Sequence, residues 1–179
     1  MFRNNKTNRC VLRKTRLEDA ADLLKVFGND EVMKYIPLET FQTLEDAERE
    51  IHWHHSIYNQ RKGVRFGIID KKTNKLIGTC GFVDYDDKNK SAEIGYDLSI
   101  EYWGKGIMTE VGREVIRFAF EKMELNRIEA KFDAPNKASK GLLIKLGFQK
   151  EGVLREYFWN EHKPIDVEVY SLLNREFNN

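Results

Sequence analysis

The chain has 179 residues, 41% of them hydrophobic, and its 30 lysines and arginines almost cancel 29 aspartates and glutamates to leave a net charge of +1. That length suits one core of ordinary size, and charges so balanced and dispersed leave no basic footprint for nucleic acid. No apolar run approaches a membrane span, Met1 to Lys6 lacks the apolar stretch of a secretory signal, and Cys10 and Cys80 fall in strand-like runs where buried free thiols are usual, so a cytoplasmic protein is expected.

Arg9 to Lys14 reads as a first strand. It leads into Thr15-Arg-Leu-Glu18, a capping box in which Thr15 and Glu18 satisfy each other's exposed amides, so a helix begins near Arg16. Leu17, Ala20, Ala21, Leu24 and Phe27 form its apolar stripe, and Gly28-Asn29 ends it. After a turn from Glu31 to Tyr35 and a break at Pro37, Thr43 caps a second helix running to about Arg61. Ala47, Ile51, His54, His55 and Tyr58 lie near one another on it. Three strands follow, Val64 to Asp70, Leu76 to Tyr85 and Ala92 to Ile100. Polar turns at Lys71 to Lys75 and Asp86 to Lys90 make them an antiparallel meander. On the third, Ala92, Ile94, Tyr96, Leu98 and Ile100 alternate on one face.

The next stretch, Glu101-Tyr-Trp-Gly-Lys-Gly-Ile-Met-Thr-Glu110, sets two glycines between that strand and a helix marked by Val111, Val115, Phe118, Ala119 and Met123. Gly104 and Gly106 permit backbone angles that a Cβ obstructs and let a ligand approach the main chain. The amides of Gly106, Ile107, Met108 and Thr109 have no intrahelical acceptor and point, with the helix dipole, at any anion that docks. Ile107 after the second glycine excludes a Walker A loop. Thr109, where a third small residue belongs, and the short remaining chain argue against a dinucleotide-binding fingerprint. A lone Gly-x-Gly also marks ordinary tight turns, so the rest of the chain decides. Arg127 to Ala134 is a strand, which requires a right-handed parallel crossover and a mixed sheet. Lys137 to Leu146 is a helix capped by Gly147, and strands near Val153 to Trp159 and Val167 to Leu173 close the chain.

Strand, Gly-x-Gly turn, helix and strand, followed in order by Asn136-x-x-Ser139, Leu146-Gly-Phe148 and Glu151-Gly152, resemble the GCN5-related N-acetyltransferase (GNAT) superfamily. Within it they look like the RimJ and RimL branch, which acetylates protein N-termini. The resemblance runs from about Arg9 to Leu173, so residues 9–173 are read as a single N-acetyltransferase domain with terminal extensions at 1–8 and 174–179. It implies an α/β acyl-CoA N-acyltransferase fold, a mixed central sheet of antiparallel meander plus a parallel splayed pair, flanked by helices. It also implies an enzyme that takes acetyl-CoA as co-substrate and acetylates an amine, foremost the α-amino group of a protein such as a ribosomal subunit. A small amine, a polyamine or aminoglycoside, is the alternative acceptor, and a non-catalytic CoA-binding regulatory module is the reading from another class. Monomer and homodimer are both open; nucleic acid and membrane are not expected partners.

The same resemblance assigns residues. The CoA diphosphate would sit on the turn amides of Lys105, Gly106, Ile107, Met108 and Thr109, with Lys105 adding charge. The pantetheine arm would pair with the backbone of Leu98, Ser99 and Ile100, near a Gly95 compatible with a bulge, and Asn136 would hold it from the other side. Glu101, where the superfamily usually has Gln or Arg, receives no binding role. Acetyl transfer needs a neutral amine, a stabilised oxyanion and a proton for the departing thiolate. Backbone amides near Leu98 can serve the oxyanion. Glu93 is the first candidate base, acting through a water, and Glu156 the second; the alternative for Glu93 is that it is simply solvated or paired on the polar strand face. Many relatives carry a donor tyrosine where Leu143 stands, and leucine cannot donate, so the resemblance points to Ser139. That serine could instead bond local backbone. His52 and His55 lie one turn apart, but no cysteine or acidic pattern completes a metal site, and no metal is expected. Tyr35, Phe41, Trp53 and Tyr58 occupy the region that forms the acceptor groove in relatives, and the alternative for each is a place in the core.

Overall fold

The structure is a computed structural model that describes residues 5–160 and 163–177. Eight strands form one sheet: β1 (Asn5–Lys6), β2 (Cys10–Lys14), β3 (Val64–Asp70), β4 (Leu76–Asp86), β5 (Ser91–Leu98), β6 (Arg127–Asp133), β7 (Gln149–Asn160) and β8 (Lys163–Leu173). Their order is β1-β2-β3-β4-β5-β6-β8-β7. The β5–β6 pair is parallel and every other pair antiparallel. The expected meander is β3-β4-β5, and the expected mixed sheet follows from the crossover through the helix after Gly106.

The helices are α1 (Ala20–Phe27), α2 (Asp30–Met33), α3 (Leu44–Asn59), α4 (Ile107–Lys122), α5 (Lys137–Lys145) and α6 (Asn174–Phe177). They bury two apolar clusters. Val111, Val115 and Ala119 of α4 and Leu143 of α5 pack with Phe66, Phe82, Ile94, Ile128 and Leu172 from the strands. Leu23, Val26 and Phe27 of α1 and Ala47 and Ile51 of α3 gather with Ile69 and Leu76. Each fully buried side chain of this size contributes about 1.5–3 kcal/mol, so helix register is set by these faces.

Register is where α1 departs from expectation. Its buried face is Ala20, Leu23, Val26 and Phe27, whereas Leu17 and Ala21 are exposed. The capping box also shifts by one residue: the Arg16 amide donates to Asp19 Oδ2 at 2.8 Å, a 3₁₀ turn over Leu17–Asp19 precedes the helix, and the buried Thr15 hydroxyl meets His54 Nδ1 at 3.2 Å. An aspartate one position nearer the helix, itself paired with Arg13 at 2.7 Å, takes the role expected of Glu18. Thr43 does cap α3, reciprocally with Asp46.

Gly95 is not a bulge. β5 pairs regularly with β4 through Gly81↔Gly95, and a Cβ on Gly95 would stand 2.6 Å from Arg65 Nη1. The glycine makes room for a guanidinium that reaches from β3 across β4 to Asp97 Oδ2 at 2.8 Å and Thr79 Oγ1 at 2.6 Å. The β7–β8 hairpin is longer than expected and carries register shifts at Lys150/Gly152 and Leu154/Phe158. Both terminal segments contribute structure: Asn5–Lys6 pairs with β2, and Phe177 packs against Phe120 at 5.5 Å between ring centroids.

Candidate active site

The β5–β6 ladder has three residue pairs, Ser91↔Arg127, Ala92↔Ile128 and Glu93↔Glu129. Beyond them β5 stays with β4 as far as Leu98, while β6 stays with β8 as far as Asp133. Two strands bound to different neighbours diverge, and the gap opens into a cleft of about 1170 Å³. β5 from Glu93 to Leu98 forms one wall, β6 from Ala130 to Asp133 with Asn136 to Leu142 the other; the Gly104–Thr109 turn and Val32 to Glu39 add two further sides.

The turn has the backbone that an anion cradle requires. Gly104 and Gly106 sit at φ +70° and +72°, Gly106 is the left-handed N-cap of α4, and no side chain caps that helix start. A Cβ at Gly104 would meet nothing within 4 Å, so backbone angle rather than crowding demands glycine there. Gly106, Ile107, Met108 and Thr109 line the cleft, and the amides at this 16-residue helix's start bring the dipole's positive end to it. Lys105 does not line the cleft; its Nζ lies 5.7 Å from the Tyr102 ring centroid. Its carbonyl accepts from Arg9 Nη1 at 2.8 Å, and Arg9 also donates through Nε and its backbone amide to Glu110 at 2.7 and 2.8 Å. Arg9 was missed because 96 residues separate it from Lys105. Exposed Glu101 lies outside the cleft lining.

Strand-like pairing at Ser99 and Ile100 is not available. The chain leaves β5 for a 3₁₀ turn at Ile100–Tyr102; Ser99 N–H donates to Ile77 on β4, and the Ser99 and Ile100 carbonyls accept from Tyr102 and Trp103. Leu98 lines the cleft, but its carbonyl accepts from Trp103 Nε1 at 2.7 Å. The edge that β6 vacates therefore runs from Ile94 to Leu98.

Asn136 caps α5, its Oδ1 accepting from the Ser139 amide at 3.0 Å, which leaves its amide nitrogen without a protein partner among the described residues. The Ser139 hydroxyl does not bond local backbone. It lies 2.5 Å from the Tyr96 hydroxyl, bringing α5 against β5. Burial pushes the Tyr96 phenol upward, opposed by that bond. Leu143, one turn further on, is fully buried in the core. Sequence reading placed Tyr96 on the apolar face and missed this contact, because nothing local links it to a serine 43 residues away.

Among carboxylates at the cleft, Glu93 stands where the strands part, with Lys131 Nζ 2.7 Å from its Oε2. Asp97 is buried against Arg65 and Thr79; burial raises its carboxyl despite both partners. Asp133 is raised by burial and has no cationic partner among the described residues. Glu156, the second candidate base, is exposed on the β7 bulge, its amide donating to Asp166 Oδ1 at 2.8 Å, and it does not line the cleft. Of the four aromatics assigned to the acceptor groove, Tyr35 lines the cleft. Phe41 stacks on Phe27 at 5.1 Å, and Tyr58 lies under Lys14 Nζ at 3.6 Å. His54 is buried, 3.2 Å from both Thr15 Oγ1 and Glu50 Oε1, and His55 Nε2 meets the Thr15 carbonyl at 2.7 Å.

Residues 9–149 match the family model for the acetyltransferase (GNAT) domain. The chain belongs to the GNAT acetyltransferase family. This GNAT chain is 43% identical over 171 residues to the uncharacterized N-acetyltransferase p20 of Bacillus licheniformis, covering 96% of each. It is 31% identical over 111 residues, 59% of this chain and 57% of the other, to the ribosomal protein uS5 alanine N-acetyltransferase of Escherichia coli. Among solved structures, a GNAT-family acetyltransferase from Bacillus anthracis superposes with a TM-score of 0.86 at 26% identity, over 98% of this chain and all of that one. The GNAT assignment makes the protein an N-acetyltransferase, and GNAT enzymes use acetyl-CoA. No helix among the described residues is long and apolar enough to cross a membrane.

Proposed function

We propose that the chain acetylates the α-amino group of a protein N-terminus, with acetyl-CoA seated in the cleft between β5 and β6. The observation that carries the reading is the splay itself: a strand edge vacated from Ile94 to Leu98, ending at a glycine cradle that leads into α4. The diphosphate would lie on the Gly106–Thr109 amides, and the arm along that vacated edge, with the Asn136 amide nitrogen facing it across the gap. Acetyl-CoA supplies the acetyl group as an activated thioester. Glu93, acting through a water, removes the amine proton. As the new C–N bond forms and the C–S bond breaks, Ser139 gives its proton to sulfur. The peptide acceptor is supported by the uS5 relative and by the cleft's mixed charges, where Lys34, Lys131, Lys137 and Lys145 stand against Glu31, Glu39, Glu93, Asp133 and an Asp97 already paired with Arg65. A polycation gains little attraction from such a surface.

The test is thiol release across an amine panel, with peptides beginning in Ser or Ala beside spermidine and an aminoglycoside. Peptides should show the highest kcat/KM. A spermidine value above that of every peptide overturns the acceptor assignment, and CoA binding without turnover of any amine returns the chain to a regulatory module.

A further inference from the structure

We propose that Tyr96 is a positioning residue for acetyl transfer: by donating its own hydroxyl proton to Ser139 Oγ, it leaves the serine proton free to point into the cleft. The inference rests on the proton-donor role given to Ser139 above.

The two oxygens lie 2.5 Å apart, and one bond between two hydroxyls uses one proton. Its direction therefore decides what Ser139 can do. If the serine donates, its only proton is spent on Tyr96 and none is available to sulfur. If the phenol donates, Oγ is an acceptor and the serine O–H turns outward. A phenol is the stronger acid of the two, so it donates. Burial keeps the phenol protonated, so its proton remains available to donate.

The surroundings fix the pair. Ser139 is 9% exposed, and its amide is held by Asn136 Oδ1, so its Cα cannot drift. Leu143 offers no competing polar group one turn on. Tyr96 stands on β5 and packs against the larger core cluster, so the bond spans the cleft from one wall to the other. When the serine O–H bond breaks and the S–H bond forms, negative charge develops on Oγ. The Tyr96 O–H already points at it, and a donor aimed at developing charge needs no reorganisation. Solvent reprotonates Oγ after the thiol leaves, and Tyr96 keeps its own proton.

The experiment is a double-mutant cycle with whichever amine the parent turns over best, so a wrong acceptor assignment leaves it intact. Tyr96→Phe keeps the ring and removes the hydroxyl. Under saturating substrates, with chemistry shown to be rate-limiting, kcat should fall about tenfold to a hundredfold, the worth of one hydrogen bond to a charged group. The Kd for acetyl-CoA should stay within about twofold, as for a group acting late in the reaction. The variant Tyr96→Phe/Ser139→Ala should be no slower than Ser139→Ala alone, because the tyrosine acts only through the serine. Replacing Tyr96 by 3,5-difluorotyrosine keeps the hydroxyl as a stronger donor and should hold kcat near the parent's; this readout stands if Tyr96→Phe does not fold. Parental kcat in Tyr96→Phe beside a slow Ser139→Ala overturns the inference and leaves the donor role of Ser139 standing. Losses that multiply in the double variant, or difluorotyrosine at the phenylalanine level, overturn it as well. Parental kcat in Ser139→Ala removes the donor role and this inference together.

Discussion

Gly106 sits at φ +72° as the N-cap of α4, in the left-handed region that costs an L residue roughly 1–2 kcal/mol. Gly106→Val adds that strain and sets a branched side chain on the amides of the proposed cradle. Calorimetry should show CoA affinity lost by well over tenfold in a variant that still melts cooperatively; unchanged affinity in a folded Gly106→Val puts the diphosphate elsewhere. Gly104, Gly106, Asn136 and Ser139 were all readable in the sequence, because spacing within a short motif reports on local backbone. Arg9 on the Lys105 carbonyl and Tyr96 against Ser139 were not. Each joins residues far apart in the chain, and only the folded sheet brings them together. Glu93 was readable as a carboxylate on its strand near the implied splay, but its place at the last β5–β6 rung and its tie to Lys131 depend on the register between two strands.

At the scale of elements, a cluster of charge on one side of the sheet ties β6, β8 and β7 together. Arg127 meets Glu129 at 2.8 Å and Glu151 at 2.6 Å, and the Ser171 hydroxyl donates to Glu151. Arg127 first, and Ser171 after it, pull the Glu151 carboxyl down to about 2. A carboxyl depressed in the folded chain stabilises fully above its unfolded pKa of about 4.3, and that contribution disappears as pH falls toward 2. Glu151→Gln should therefore lower Tm at pH 6, and the difference should shrink steadily below pH 4 and close only at about pH 2 or below; a constant difference across that range rules out ionisation as the cause. Element identity was legible where apolar spacing was clean: β3 matches its expected span from Val64 to Asp70. Gly147 closes α5 as expected, at φ +92° with Phe148 N–H returning to the Leu143 carbonyl. α1 was misregistered because its first turn is 3₁₀, with three rather than 3.6 residues per turn, and β7 was read short because its bulges break the two-residue alternation.

Taken whole, the molecule is two sheets' worth of hydrogen bonds joined at three rungs. β1 to β5 form one panel, and β6, β8 and β7 form the other. Ser91, Ala92 and Glu93 against Arg127, Ile128 and Glu129 are the paired strand residues between them, and the Tyr96–Ser139 bond is a further tie lying beyond the last rung. A seam this short makes a ligand in the gap a splint. Amides of Ile94 to Leu98 that face the vacated edge should exchange with deuterium faster than their counterparts in β3, and should slow when CoA is added. The whole chain should gain about 2.7 kcal/mol of stability at a CoA concentration 100 times its Kd, read as a rise in Tm. Exchange at Ile94 to Leu98 that is already slow and insensitive to CoA would show that the panels are locked without the ligand. The gap proposed to admit the co-substrate is thus also the place where the sheet is least finished, and occupancy would become visible as rigidity before any acetyl group has moved.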